Sequence, residues 1–183
     1  MHKFIHSLNS KNKQYGLTFI EVMVALFILV TGILGAVALQ ATAKQGSFDA
    51  MQRSVASSLA QDIIERMRNN DPLALESYEG NYGNNNATVT AVCDENNLCN
   101  PVTMANRDLY EWEQLLMGAD VVNGSNNVGG LSGVTGCIVH TSNAVKITIS
   151  WQGKTDMKDA KKVDACGSSD TKRRQITTEV FIF

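Results

Sequence analysis

Residues 22–39 contain no charged side chain and are interrupted only by Thr31, Gly32 and Gly35. Eighteen such residues are about the length a helix needs to cross a bilayer. Ahead of them, residues 1–16 carry Lys3, Lys11 and Lys13 and no acidic residue. Positive charge before the first apolar run places that end of the helix on the cytoplasmic side. One carboxylate, Glu21, stands at the mouth of the run, where charge is costly unless a group outside the monomer satisfies it.

The rival reading of this junction is a secretory signal peptide, for which Ala36-Val37-Ala38 offers a small-residue cleavage pattern. Against it, the apolar run is longer than the usual core of such a peptide and continues unbroken into helix-compatible sequence, with no proline before Pro72. One helix is therefore expected from about Leu17 to Asn70, roughly 80 Å long at about 1.5 Å per residue. Beyond Gly46 its pattern turns amphipathic, with Phe48, Met51, Val55, Leu59, Ile63 and Met67 three or four apart. Arg66 and Arg68 read as a solvated face near the helix C-terminus, where cations are favoured. Asn69-Asn70-Asp71-Pro72 stops the helix, because the residue before proline is pushed out of the α region.

With 183 residues, a leader and a membrane-length helix leave sequence for one modest globular domain. The expected organisation is a leader at 1–16, an apolar helix at 17–43, and an amphipathic helix with a globular head at 44–183. Without the leader's three lysines, 13 basic residues face 18 acidic ones, which gives no reason to expect nucleic-acid binding. A basic patch would require Lys172, Arg173 and Arg174 to gather with Lys161 and Lys162.

All four cysteines, Cys93, Cys99, Cys137 and Cys166, follow the apolar run. An even count in a domain translocated by its own membrane helix favours disulfides in an oxidising compartment. Three pairings are possible. The nearest-neighbour scheme, Cys93–Cys99 with Cys137–Cys166, is the expected one, the longer loop constraining the unfolded chain by about 3–4 kcal/mol. Zinc is the competing use, but there is no CxxC pair and His140 is the one histidine outside the leader.

In the head, residues 73–86 read as an irregular loop and residues 87–93 (ATVTAVC) as a weak strand. Residues 106–117 (NRDLYEWEQLLM) read as a short helix with Asn106 as N-cap and Leu109, Trp112, Leu115 and Leu116 on its apolar side. A Gly- and Asn-rich loop over 118–136 precedes strands at 137–141 and 144–151, joined at Ser142-Asn143. In the second, Val145, Ile147, Ile149 and Trp151 alternate with Lys146, Thr148 and Ser150. A polar loop over 152–174 leads to a last strand at 175–183, with Ile176, Val180 and Ile182 as core candidates. The fold class is thus α+β: a long N-terminal helix, apolar and then amphipathic, packed on a small antiparallel sheet.

Catalytic chemistry has little to draw on. His140 lies in a strand as a half-exposed residue, and no serine sits in a nucleophile elbow. The glycines of 118–136 neither follow a strand nor open a helix, so they form no phosphate cradle. The acidic residues of 156–164 lack calcium-loop spacing. Trp112 and Trp151 read as core aromatics. No catalytic residue, metal or cofactor is expected.

The junction Gly16-Leu17-Thr18-Phe19-Ile20-Glu21, followed by the uncharged run, resembles the class III signal of type IV pilins. In that family a membrane aspartyl peptidase cuts after the glycine and leaves the apolar helix on the mature protein. The resemblance implies a cut between Gly16 and Leu17, N-methylation of Leu17, and Glu21 at the fifth mature position. There it would pair with the terminal amine of a neighbouring subunit and set its register. The family usually has Phe after the cut and Leu two residues on; here Leu17 and Phe19 exchange those places and keep the polarity pattern.

GLTFIEVMVALFILVTGILG, SLAQDIIERMRNN, CNPVTMANRDLYEWEQLL and ITISW, in that order, are similar to the minor-pilin branch called type IV pilus modification protein PilV. That resemblance implies a subunit that primes pilus assembly and joins a tip complex. Its implied partners are other minor pilins, the major pilin, a tip adhesin and, as processing enzyme, prepilin peptidase. It implies residence in the inner membrane with the head in the periplasm before assembly. Residues 65–69 are both a candidate partner surface and an expected solvated helix end. A minor pseudopilin of a type II secretion system would share the leader and Glu21, though the size of the head and its four cysteines argue against it. A membrane-anchored periplasmic enzyme is the third class.

Overall fold

The computed structural model describes residues 16–88, 93–96, 98–119, 121–124, 126–142, 144–157 and 165–182. The leader ahead of Gly16, most of the strand expected at 87–93, Asn143, and Lys161 and Lys162 lie outside the described residues. The fold is α+β, and it divides between Lys44 and Gln45 into two compact units.

Helix α1 spans Phe19–Arg68. In the first unit it is helical straight through Gly32 and Gly35, and every described residue there is exposed. Thr31 and Thr42 turn their hydroxyls back onto the helix, Thr31 donating to the carbonyls of Phe27 and Ile28, each at 3.0 Å, and Thr42 to that of Ala38 at 3.2 Å.

In the second unit α1 buries Gln52, Ala56, Leu59, Ala60, Ile63, Ile64 and Met67. The inward stripe departs from the expected one at its start. Met51 is exposed and Gln52 buried, because the small residues Ala56 and Ala60, which carry little hydropathy signal, set the seam. Near that start, Lys154 Nζ lies 4.2 Å above the Phe48 ring and Arg174 Nη2 lies 3.4 Å from Asp49 Oδ2.

The stretch expected to be an irregular loop at 73–86 is more ordered than its composition suggests. A 3₁₀ turn runs over Pro72–Tyr78, capped by the Asp71 carboxylate, which accepts from the Leu73 amide at 2.9 Å. Strand β1, Gly80–Tyr82, follows. Helix α2 spans Pro101–Met117 and starts a turn earlier than expected. Its N-cap is Asn100 rather than Asn106: the Asn100 side chain accepts from the Thr103 amide at 2.9 Å, and Pro101 fits the first turn without a missing bond. Leu109, Trp112 and Leu116 are buried, as are Ala105 and Glu113, whereas Leu115 is exposed. Gly118 closes α2 in the left-handed region, its backbone so close to that of Gly130 that a side chain has no space.

The loop expected over 118–136 carries a small hairpin of β2, Val122–Asn123, and β3, Asn126–Asn127. Strands β4, Thr135–Thr141, β5, Ala144–Gln152, and β6, Arg173–Phe181, form with β1 an antiparallel sheet ordered β1-β4-β5-β6. Ile138 pairs with Ile147, and Ile149 with both Gly136 and Ile176. The face carrying Ile138, Val145, Ile147, Ile149 and Trp151 joins the α1 and α2 side chains in one hydrophobic cluster.

The alternate face of β5 is covered as well. Thr148 and Ser150 are buried, because the Cys137–Cys166 disulfide draws residues 165–167 over the sheet. Ser150 Oγ donates to the carbonyls of Thr135 at 3.2 Å and Cys166 at 3.1 Å, and Arg173 donates to the Cys166 carbonyl. Cys93 and Cys99 form the second disulfide.

Trp112 joins the two helices. Its indole Nε1 donates to the Leu59 carbonyl at 2.8 Å, and Tyr82 meets its ring edge-on with centroids 5.8 Å apart. Gly136 lies against that ring, where a Cβ would stand 2.5 Å from Trp112 Cη2. Gly136→Ala is expected to destabilise the head by about 1–3 kcal/mol through overpacking, read as a lower urea midpoint at unchanged slope.

Candidate assembly site

The first unit holds Gly16, Leu17 and Glu21, the residues expected at the processing and register positions. Gly16 is exposed, with no described atom beyond its chain neighbours within 4 Å of the position a Cβ would take, and Leu17 is 78 % exposed. Thr18 precedes the first helical residue and Glu21 occupies the third helical position, the spacing of a capping box. Glu21 Oε2 accepts from both the Thr18 amide and the Thr18 hydroxyl at 3.3 Å. Among the described residues these long bonds are the only hydrogen bonds to the carboxylate, and it has no cation partner. The apolar side chains that follow, from Val22 at 45 % to Leu39 at 74 %, are exposed. A helix this long and this apolar is long enough to cross a membrane. Exposed apolar surface on this scale demands lipid or other apolar helices around it.

In the second unit the C-terminal turns of α1 meet α2 through a network that sequence reasoning missed. Arg66, expected on a solvated face, is drawn inward: Nε bonds Asp62 at 3.0 Å, and Nη1 bonds Glu111 at 2.8 Å and Asp108 at 3.3 Å. Arg107 Nε supports Glu111 from the next turn at 2.9 Å. Burial works against the Arg66 charge, but the bonds to Glu111 and Asp62 outweigh it and raise its pKa. Reciprocally, the Arg66 bond leads in holding Glu111 below the ordinary value of 4.5, against an opposing push from burial.

Asp108 also accepts from the Tyr78 hydroxyl at 2.6 Å, and Asn70 donates to Tyr78 at 3.0 Å and to the Pro101 carbonyl at 2.9 Å. Burial and then Asp108 push the Tyr78 phenol up. The result locks the end of α1, the 3₁₀ turn and the start of α2 into one unit. Arg68, by contrast, pairs with Glu65 at 2.7 Å on the surface, as a helix-end cation should.

Glu113 is the second missed residue. It is fully buried, yet its carboxylate is satisfied by four backbone amides: Gly83 at 2.6 Å, Asn86 at 3.0 Å and Asn84 at 3.1 Å on Oε1, and Ala87 at 2.8 Å on Oε2. Burial alone would raise its pKa, but the four N–H donors reverse the sign and hold it below 4.5. Burial, followed by the Glu113 charge, pushes the neighbouring Tyr82 up to about 12. One signal for this role lay in the sequence: Glu113 falls four residues after Leu109, on the apolar side of α2.

His140 is half-exposed on β4 and its Nε2 has no hydrogen-bond partner among the described residues. The first unit is thus an exposed apolar helix with one carboxylate at its start, and the second is cross-braced by ion pairs between α1 and α2.

The prokaryotic N-terminal methylation motif matches residues 11–37, and the family model described as type IV pilin Tt1218 matches residues 38–110. Neither the curated proteins nor the solved structures return a match. The two family matches run without a gap from residue 11 to the middle of α2. The chain belongs to the type IV pilin superfamily.

Proposed function

We propose that this pilin is a minor subunit of a type IV pilus, of the PilV kind. It is cut by prepilin peptidase between Gly16 and Leu17 and N-methylated at Leu17. The leader is residues 1–16, the membrane and filament-core helix residues 17–43, and the remainder carries the amphipathic helix and periplasmic head. Before assembly the protein is anchored in the inner membrane. Afterwards it primes the filament and sits in the tip complex with other minor pilins, above the major pilin and beneath an adhesin.

The observation that carries this reading is the junction itself. Among the described residues Glu21 makes only long bonds to Thr18, in front of an exposed apolar helix. A neighbour's terminal amine supplies the missing cation, and neighbouring helices supply the missing apolar cover. A minor pseudopilin would use the same junction. The two-disulfide head favours the pilus, and recovery of the protein in sheared surface filaments rather than only in membranes separates the two.

The cleavage assignment has its own test. Gly16 is exposed with open space around it, so Gly16→Phe leaves the fold unstrained but blocks a peptidase that requires glycine before the cut. The variant is expected to migrate as the unprocessed precursor on an immunoblot of membranes. Mature-sized protein contradicts the assignment.

A further inference from the structure

We propose that the head carries a binding cleft for a neutral oligosaccharide, separate from the assembly helix and independent of which pilin branch the protein belongs to. The cleft has a volume of about 730 Å³, within the range of about 300–1,000 Å³ of small-ligand sites. It is lined by the buried Leu131 and Val134 and by the exposed Asn81, Asn84, Asn127 and Gln152. None of its described lining residues is charged.

Each of the four carboxamides offers donors and an acceptor, the pairing that vicinal sugar hydroxyls require. None of the four side chains is committed to a hydrogen bond with another described residue. The C–H face of a sugar ring would lie on the apolar lining. The cation at the Gly167–Ser168 wall, Arg173, already donates to Ser150, the Cys166 carbonyl and Ser168, so a phosphate or carboxylate would compete with bonds already made.

The walls are held in place. Glu113 fixes the loop bearing Asn84 through four amides. The Gln152 amide donates to the Ser132 carbonyl at 2.8 Å, and the Cys137–Cys166 disulfide anchors Gly167 at the opposite wall. A preformed lining of this kind spares a ligand the cost of ordering it.

The test uses the full mature chain in alkylphosphocholine micelles, which carry no sugar headgroup, observed by amide NMR. Lactose, maltotriose and diacetylchitobiose are titrated separately at millimolar concentration, with inorganic phosphate as the anionic control. At least one sugar is expected to shift the side-chain amides of Asn81, Asn84, Asn127 and Gln152 saturably, and phosphate to leave them in place. Asn84→Ala and Gln152→Ala, both exposed and outside the core, should each weaken that binding about fivefold with the remaining spectrum unchanged. The proposal is overturned if no sugar gives saturable shifts, if the shifts lie elsewhere, if both variants bind as the parent does, or if phosphate occupies the same residues.

Discussion

Glu113→Ala is expected to lower the stability of the head by about 3 kcal/mol. Four backbone amides between Gly83 and Ala87 lose a charged acceptor at once. An unsatisfied buried donor costs about 1–3 kcal/mol. Water reaches part of this loop, since Asn84, Asn85 and Asn86 are exposed, so the four losses do not simply add. The substitution also leaves a void where the fully buried carboxylate stood. Glu113→Gln keeps one acceptor oxygen but turns a donor toward the loop, and an intermediate loss of about 2 kcal/mol is expected. Urea unfolding of the full chain followed by tryptophan fluorescence reads both. A loss below about 1 kcal/mol for the alanine variant contradicts the anchoring role.

The same carboxylate shapes the acid limit. Glu113 and Glu111 both have folded pKa values below the ordinary 4.5, so below about that pH the unfolded chain binds protons more readily than the folded one. Their stabilisation is complete above about pH 4.5 and is lost as the pH falls from there through the folded values. Glu113→Ala should accordingly flatten the fall of stability with acid, with Glu111 accounting for part of what remains.

The largest effect on function is expected at Glu21. Glu21→Ala should reach the membrane and be processed normally, yet its recovery in sheared filaments should fall by at least about tenfold. Removing one member of an ion pair in an apolar setting leaves the other charge uncompensated, at about 3–5 kcal/mol, and tenfold needs only about 1.4 kcal/mol. Glu21→Gln tests charge against shape: if the pairing with a neighbour's amine sets the register, the glutamine variant also fails. Undiminished incorporation of either variant contradicts the register role.

Much of this architecture was legible because period and punctuation agree. The uncharged run over 22–39, the alternation in AVKITISW and the proline at 72 each carry a strong local signal, and α1 and β5 follow them closely. Strand β1 was illegible for the opposite reason. Gly80 and Asn81 are poor strand formers and Tyr82 alone favours a strand, so the extended form comes from pairing with residues 136–138 of β4.

Asn100 rather than Asn106 caps α2, and Pro101 follows it because proline belongs in a first helical turn. Arg66 and Glu113 were the deeper omissions. Asp62 is a local partner of Arg66, but Glu111 and the amides that hold Glu113 lie more than 25 residues away in sequence and meet these side chains only through tertiary contact. The polar cleft is hidden for the same cause: Asn81 and Asn84 in and after β1, Asn127 of β3 and Gln152 of β5 meet only in the folded head.

The claim at the centre of this account is that the apolar helix is retained behind a new N-terminus at Leu17. Intact-mass and N-terminal fragment analysis of the protein purified from cell membranes tests it most directly. The account predicts a chain beginning at N-methylated Leu17 with Glu21 at its fifth position. A chain beginning after Ala38, as a secretory signal peptidase would leave it, or one still beginning at Met1, contradicts it.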